Sequence, residues 1–264
     1  QEGISYLAGA ELPCLIVNVQ RGGPGLGTIQ PSQSDYFQTV KGGGHGDYRL
    51  ITLAPNSVQE MADFVSLGFD LAFILTDGVI GQMMEKVKLP EYRRRRTEQE
   101  IREQCPWATL GKTKDRGPNI ITSLELDAAL MEKNNERFQA KYRVIEQEEV
   151  RYQETACEDA DYLLVAFGSA ARICLKTIDM ARKEGIKIGL LRPITLWPFP
   201  SNILNTYADK VKGMLTVELN AGQMVEDVRL AVNGKVPVEH YGRLGGIVPT
   251  PDGVLDALKE KIVK

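Results

Sequence analysis

The chain has 264 residues, of which 43% are hydrophobic, and its formal net charge is −3. This length accommodates two domains, and this charge gives no reason to expect nucleic acid or a membrane surface as the main partner. No apolar run approaches the ~18–20 residues that a transmembrane helix requires. The four cysteines are scattered without a Cys-x-x-Cys pair; they are Cys14, Cys105, Cys157 and Cys174. This argues against an iron–sulfur or zinc site made by this chain alone, and it predicts a reduced, cytoplasmic setting.

The first stretch, residues 1–88, alternates helix and strand patterns. In chain order we predict a helix end at Gln1–Gly9, a strand at Cys14–Val19, a long loop at 20–47, a strand at Tyr48–Pro55, a helix at Ser57–Leu71 and a strand at Phe73–Thr76. Pro55, Asn56 and Ser57 are the start signal for the long helix. The alternation favours a parallel sheet flanked by helices.

Two features of this stretch indicate that sequence is absent. Gln1 lies in what reads as the middle of a helix, so we expect an N-terminal portion to be missing. The helical pattern before "AFILT" runs into that strand without a turn, although such connections normally take about 2–6 residues. We therefore expect a loop to be missing near Phe73–Ile74.

The rest of the chain divides into a connector and a second α/β unit. Residues 89–155 carry polar helical runs without a core pattern. The arginines Arg93–Arg96 lie among acidic residues there, which favours a solvated face or subunit contact over a nucleic-acid site. Residues 156–264 contain four strand–helix units, closed by a helix with Thr250 as N-cap. Such units form a small doubly wound domain.

The long loop carries the candidate site, because ligands of α/β folds bind at the carboxyl ends of parallel strands. In "RGGPGLG", backbone N–H groups of glycines could face an anion beside the Arg21 guanidinium; a turn that needs positive φ angles explains the glycines equally well. In "KGGGHGDYR", His45 is one of two histidines in the chain. It could bind a carboxylate or transfer a proton, or it could bond only its own backbone.

Three further strand ends carry polar or glycine-rich segments that are candidate sites. "FGSAAR" places Ser169 as a helix N-cap, which accounts for it without a ligand. "HYGRLGG" is a second basic glycine-rich loop, for which structure is favoured over ligand binding. Asp77 in "TDGVIG" is a single acid, which is insufficient for a metal. The segment "PITLWPFP" reads as a packed corner.

Three long segments nevertheless occur together in order along essentially the whole chain. They are "QEGISYLAGAELPCLIVNVQRGGPGLGTIQPSQSDYFQTVKGGGHGD", "LTDGVIGQM" and "ELNAGQMVEDVRLAV…HYGRLGGIVPTPDGVL". Together they resemble the α subunit of 2-oxoacid:ferredoxin oxidoreductases, with the 2-oxoisovalerate (3-methyl-2-oxobutanoate) type as the nearest. The resemblance implies an oxidoreductase that converts a 2-oxoacid, chiefly a branched-chain one, to acyl-CoA by oxidative decarboxylation and passes electrons to ferredoxin.

The resemblance also implies a fold and a division of labour. Residues 1–88 would be the C-terminal part of a thiamine diphosphate pyrimidine-binding domain, 89–155 a linker, and 156–264 a transketolase-C-terminal-like domain. Thiamine diphosphate and Mg would be shared with a β subunit, and iron–sulfur clusters would lie on partner subunits (γ, with δ as an option). Coenzyme A would be the co-substrate, with no nucleic-acid or membrane partner.

The resemblance assigns candidate roles within the long loop. Arg21, Gly22 and Gly23 would contact the cofactor, while His45 and Asp47 would be catalytic, with Asp47 orienting His45. We expect the loop to be disordered in isolation, because its packing partner would be another chain. The family's pyrimidine-side glutamate and Tyr-Pro-Ile-Thr-Pro motif lie upstream of Gln1, so this chain alone is expected to be inactive.

The substrate prediction depends on one position. Relatives that act on 2-oxoglutarate resemble "GRHGE" where this chain reads "GGGHGD". Gly44 therefore stands where an arginine would pair with a second carboxylate, which favours a branched or aromatic 2-oxoacid. The alternatives are an E1-β-like subunit of a lipoamide-linked 2-oxoacid dehydrogenase and a non-catalytic α/β scaffold.

Overall fold

The computed structural model describes residues 1–89, 91, 94–105, 107–108, 110–111, 114–115 and 117–263, and it describes residues 69–72 by their backbone alone. Within these ranges, no helix is both long enough and apolar enough to cross a bilayer. The chain forms two sheets, each mainly parallel and accompanied by helices. This confirms the predicted α/β fold class.

The first sheet has four strands in the order β1-β3-β2-β7. They are β1 (Ile16–Gln20), β2 (Ile51–Leu53), β3 (Ala72–Asp77) and β7 (Thr195–Trp197). β1 and β2 both pair with β3 in parallel, whereas β7 runs antiparallel to β2. β7 lies in "PITLWPFP", the segment predicted to be a packed corner. Because this segment belongs to the second half of the chain, that half supplies the last strand of the first sheet.

The second sheet has the order β4-β6-β5-β8-β9. Its strands are β4 (Tyr152–Thr155), β5 (Tyr162–Val165), β6 (Ile188–Pro193), β8 (Gly213–Glu218) and β9 (Val238–Gly242). The last four are parallel, as the strand–helix units predict, and β4 adds an antiparallel edge that the sequence pattern did not reveal.

Helices connect the strands and cover the sheets. They are α1 (Glu2–Gly9), α2 (Tyr36–Val40), α3 (Val58–Leu71), α4 (Gly78–Gln82), α5 (Glu98–Gln104), α6 (Ala128–Glu148), α7 (Gly168–Lys183), α8 (Ser201–Ala208), α9 (Met224–Val232) and α10 (Pro251–Leu258), which continues into a π-helical turn at Lys259–Val263. Side chains of α7 and α10 pack on one face of the second sheet. Side chains of α8 and α9 belong to a larger core shared with the first sheet.

Three helix starts test the predicted caps. The Ser57 hydroxyl accepts a hydrogen bond from the backbone N–H of Glu60 at 3.1 Å, which confirms the start signal of α3. Thr250 accepts from the N–H of Gly253 at 3.2 Å, as predicted for α10. The prediction that Ser169 is an N-cap is wrong, because α7 already begins at Gly168.

The connector is mostly solvated. No residue of α6 is buried, but Tyr142 packs edge-on against Trp197 with ring centroids 5.7 Å apart. Of the arginine run, Arg93 lies outside the described residues, and Arg94 pairs with Glu100 at 2.6 Å. At the suspected missing loop, α3 ends at Leu71 and β3 begins at the next residue, so that loop stays a prediction.

Candidate functional site

The long loop predicted from the sequence separates into three parts. We call residues 21–27 the first glycine loop, residues 31–41 the anchor segment and residues 42–47 the histidine loop. The first glycine loop leaves the carboxyl end of β1, and the histidine loop precedes β2. Most of the anchor segment is buried, whereas most residues of the two flanking loops are exposed.

The first glycine loop is closed by backbone hydrogen bonds. Gly22 N–H donates to the Gln30 carbonyl at 2.8 Å, and Thr28 N–H donates to the Gly22 carbonyl at 2.7 Å. A Cβ on Gly27, whose φ is +53°, would lie 1.8 Å from the Gly22 oxygen, so this close approach requires glycine. Arg21 and Gly23 are exposed, and a Cβ on Gly23 would meet nothing within 4 Å. The loop therefore presents open backbone beside a cation.

A second glycine loop, residues 242–246, lies directly against the first. A Cβ on Gly22 would come within 2.8 Å of the Gly245 carbonyl carbon and 2.9 Å of the Gly246 nitrogen. Exposed apolar side chains flank this contact, with Leu26 at 86%, Ile29 at 83% and Leu244 at 58% exposure. The two glycine loops singled out in the sequence thus form one surface with an apolar character that partner chains commonly cover.

The histidine loop has different neighbours. A Cβ on Gly44 would lie 2.8 Å from the Ser5 Cβ of α1, and the Gly44 N–H donates to the Tyr48 hydroxyl at 3.1 Å. Gln139 of α6 donates to the backbone carbonyl of Asp47 at 2.8 Å. The side chains of His45 and Asp47 are both exposed.

The structure does not bring the predicted site residues into one constellation. Within the described part of the chain, no hydrogen bond or ion pair joins the Asp47 and His45 side chains, or links either of them to Arg21. No hydrogen bond among the described residues therefore supports the prediction that Asp47 orients His45. The first glycine loop contacts the second glycine loop through Gly22, whereas the histidine loop contacts α1 through Gly44 and α6 through the Asp47 carbonyl.

Gln33 is the central residue of the anchor segment and is 1% exposed. Its backbone N–H donates to the Leu219 carbonyl at 3.0 Å, and its carbonyl accepts from the Asn220 side chain at 2.8 Å. Its side-chain oxygen accepts from the Leu219 N–H at 3.1 Å, and its side-chain NH₂ donates to the Phe167 carbonyl at 2.8 Å. All four polar groups of this residue thus pair with strand ends of the second sheet.

Other residues of the anchor segment bind helix α9. Gln223 donates to the Ser34 carbonyl and accepts from the Phe37 N–H, both at 2.8 Å. Asp227 accepts from the Tyr36 hydroxyl at 2.7 Å and forms an ion pair with Lys41. The prediction that the long loop packs on another chain is therefore wrong for the anchor segment, since the second half of this same chain satisfies its polar groups.

The two sheets also meet at Asp77, at the carboxyl end of β3. One oxygen of its carboxylate caps α4 by accepting from the N–H groups of Val79 and Ile80. The other accepts from the Ser169 hydroxyl at 2.7 Å. Burial raises the pKa of the Asp77 carboxyl above 3.8, against the lowering effect of these hydrogen bonds. Asp77 thus has a structural role at the domain contact.

A metal site needs several ligating side chains close together. The described residues contain no group of three or more His, Cys, Asp or Glu side chains placed to hold a metal ion.

Two family models match the chain. Residues 1–154 match the pyruvate flavodoxin/ferredoxin oxidoreductase, thiamine diP-binding model. Residues 160–254 match core domain II of pyruvate:ferredoxin oxidoreductase. The two matches together cover both sheets and the site loops.

Individual relatives cover nearly the whole chain. Ketoisovalerate oxidoreductase subunit VorB of Methanothermobacter marburgensis is 47% identical, over 98% of this chain and 74% of the relative. The 2-oxoglutarate synthase subunit KorA of the same organism is 32% identical, over 98% of this chain and 76% of the relative.

A solved structure shares the fold. The 2-oxoglutarate:ferredoxin oxidoreductase from Magnetococcus marinus with 2-oxoglutarate, coenzyme A and succinyl-CoA bound superposes with a TM-score of 0.74 over 96% of this chain, at 22% identity. The present chain spans half of that chain's length.

Proposed function

The chain belongs to the family of 2-oxoacid:ferredoxin oxidoreductases, and we propose that it is the α-type subunit of a member that oxidises a branched-chain 2-oxoacid. The observation that carries this proposal is the contrast in identity at equal coverage. The ketoisovalerate relative is 47% identical and the 2-oxoglutarate relative 32%, each over 98% of this chain. Enzymes of this family pass electrons to ferredoxin. This argues against the alternative of an E1-β-like subunit of a lipoamide-linked 2-oxoacid dehydrogenase.

Thiamine diphosphate is the cofactor that we propose for this site, and it supplies the carbanion stabilisation that decarboxylation requires. Two features of the described residues can accommodate the cofactor and the substrate: Gly23 leaves open space at the backbone, and the exposed Arg21 guanidinium can pair with the substrate carboxylate. The described residues do not offer a metal-ligand set. We therefore propose that Arg21, Gly22 and Gly23 position cofactor and substrate, while a β subunit holds Mg²⁺ and the diphosphate.

His45 and Asp47 are the candidate groups for proton transfer or for hydrogen bonds to the substrate. Both side chains are exposed and have no hydrogen-bond partner among the described residues. An exposed, unpaired imidazole next to glycine backbone can rotate toward a bound ligand. The proposal is that ligand binding, or the covering subunit, brings His45 into contact with the substrate.

Partner subunits are proposed from two features. The apolar side chains around the two glycine loops need a cover, and a β subunit that completes the site supplies one. The cysteines are dispersed, two of them buried in the second sheet's domain (Cys157 and Cys174). Iron–sulfur clusters are therefore assigned to partner subunits, γ and optionally δ, in a cytoplasmic complex that uses coenzyme A and ferredoxin. This chain alone is expected to be inactive.

The division of the chain stays a proposal as well. We propose a thiamine-domain part at 1–88, a connector at 89–155 and a transketolase-C-terminal-like domain at 156–264. The first sheet takes three of its four strands from residues before α6, and the second sheet takes all five of its strands from residues after α6, which supports this division. The change of family model between residues 154 and 160 supports the start of the last domain.

The principal test is turnover by the native complex that contains this chain, purified without air. Each of 2-oxoisovalerate, pyruvate and 2-oxoglutarate is added with coenzyme A, and reduction of a viologen dye is followed. We expect coenzyme-A-dependent reduction that is fastest with 2-oxoisovalerate. Faster reduction with another oxoacid would refute the substrate assignment, and no reduction with any of them would favour the non-catalytic scaffold.

A second test introduces a side chain at Gly44, which lies against Ser5 of α1. Because Ser5 leaves no room for a side chain at residue 44, Gly44→Arg is made alone and together with Ser5→Gly. We expect the double variant to raise the preference for 2-oxoglutarate over 2-oxoisovalerate, since the guanidinium can pair with a second carboxylate. Gly44→Met with Ser5→Gly is the matched control for size without charge. An equal shift in both double variants would refute the charge argument.

A further inference from the structure

The second sheet has a crevice of the kind that usually binds a ligand. Within its parallel part the order is β6-β5-β8-β9, so the chain leaves β5 toward β6 on one side and later returns to β8 on the other. In doubly wound sheets ligands bind at such a switch point, outside the carboxyl ends of the two strands. Here those ends are Phe167–Gly168 after β5 and Leu219–Asn220 after β8.

In this chain the crevice is filled by Gln33. Its side-chain amide spans the switch point, donating to the Phe167 carbonyl on one side and accepting from the Leu219 N–H on the other. A Cβ on Gly168 would lie 3.0 Å from the Gln33 side-chain nitrogen, so a glycine at the start of α7 leaves room for the amide. The anchor segment, which lies between β1 and β2 of the first sheet, thus occupies the place of a ligand.

From this arrangement we infer that Gln33 is a positioning residue for the 2-oxoacid reaction, an inference that rests on the proposed function. The first glycine loop and the histidine loop lie on either side of the anchor segment. Their positions relative to the active site therefore depend on where the anchor segment is held. The second domain acts on the site through this amide rather than by binding a ligand of its own in the crevice.

The side chain of Gln33 can be tested separately from its backbone. The Gln33 N–H and carbonyl bonds to Leu219 and Asn220 persist when the side chain is changed. Gln33→Met keeps the length and approximate volume of the side chain but removes the bonds to Phe167 and Leu219. The fold is expected to remain, while the anchor segment is held less firmly because two of its hydrogen bonds to the second domain are lost.

The experiment measures the native complex with Gln33→Met in this chain. A loop shift of about 1 Å can cost on the order of a hundredfold in rate. We expect kcat/KM for 2-oxoisovalerate to fall by roughly tenfold to a hundredfold, with KM for coenzyme A unchanged. Amide hydrogen exchange at residues 21–30 and 42–47 should rise. Gln153→Met, at an exposed position on β4, is the control and should change none of these.

A second variant removes other hydrogen bonds of the anchor segment by changing a residue of the second domain. Gln223→Met removes the bonds to Ser34 and Phe37 and should change the same parameters, which keeps the test decisive if Gln33→Met fails to assemble. Equal behaviour of the Gln33 variant and the control would overturn the inference, as would a fall in stability with both KM values altered alike. Failure of the wild-type complex to oxidise any oxoacid would refute the proposed function, whereas hydrogen exchange would still test the positioning role.

Discussion

Glu218 is a fully buried carboxylate at the end of β8, and it holds the helix that binds the anchor segment. It is 0% exposed. Its two oxygens accept from the backbone N–H groups of Gln223 at 3.2 Å, Met224 at 2.8 Å and Val225 at 3.1 Å. The N–H groups of Met224 and Val225 are the first two of α9 and have no partner within the helix, and Gln223 directly precedes them. The carboxylate thus replaces the N-cap side chain that α9 lacks.

The substitution Glu218→Gln removes one acceptor oxygen and the charge. The remaining amide oxygen can serve two of the three N–H groups, while the new NH₂ faces the third. A buried N–H left unpaired costs about 1–3 kcal/mol, and the two surviving bonds lose their charge-assisted strength. We expect a total loss of about 2–4 kcal/mol in the free energy of unfolding, which lowers the melting temperature by at least about 4 °C at this chain length.

Chemical denaturation and thermal melting of the purified complex measure this loss. Glu226→Gln is the matched control, because Glu226 lies exposed in the first turn of the same helix. It removes the same charge near the helix N-terminus, where an exposed charge contributes about 0.3–1 kcal/mol. If Glu218→Gln lowers stability no more than Glu226→Gln does, the assigned capping role of Glu218 is wrong.

Two further predictions concern the buried side chains of Asp77 and Arg192. Since burial raises the pKa of Asp77 above 3.8, its contribution to stability is complete below that pH and is lost as the pH rises through the raised pKa. As the pH rises through the raised pKa, the melting temperature of the wild-type complex should therefore fall relative to that of the Asp77→Asn complex. A difference in melting temperature that does not change with pH would contradict this. Arg192 is 1% exposed and pairs with Glu60 at 2.8 Å, and its Nε and Nη1 groups have no hydrogen-bond partner among the residues that the structure describes. Glu60→Ala should therefore cost about 3–5 kcal/mol, whereas Arg192→Met should be far milder; the reverse order in chemical denaturation would refute this.

The strands that the sequence predicts and the structure contains are those with strong local patterns. "LLV" is a continuous apolar run, and "MLTV" is interrupted only by Thr216; both patterns are typical of strands buried on both faces, and they lie in β5 and β8. β7 was missed because it has only three residues between prolines and becomes a strand by pairing with β2, which is distant in sequence. The tendency to form a strand depends on such neighbours more than on the residues themselves.

The candidate site was predictable to a similar extent. Glycine spacing identified the loops that carry Arg21 and His45, because close backbone approach and positive φ restrict the choice of residue. It did not identify their neighbours: Gly22 packs on Gly245, and Gly44 packs on Ser5. The proximity of two loops from opposite ends of the chain is a tertiary property, and a single sequence contains no local signal for it.

The burial of Gln33 explains why the long loop looked unable to fold by itself. Glutamine and serine are typical loop residues that are mostly exposed, so "QPSQSDYFQ" reads as solvated chain. A buried amide is tolerated only when its polar groups are paired, and the partners of Gln33 lie 134 to 187 residues away. Tyr36 contributes to the same contact: it is 0% exposed, and its ring centroid lies 5.7 Å from that of Phe167. The order of this loop therefore comes from the second sheet's strand ends, and the site it carries depends on that domain being present.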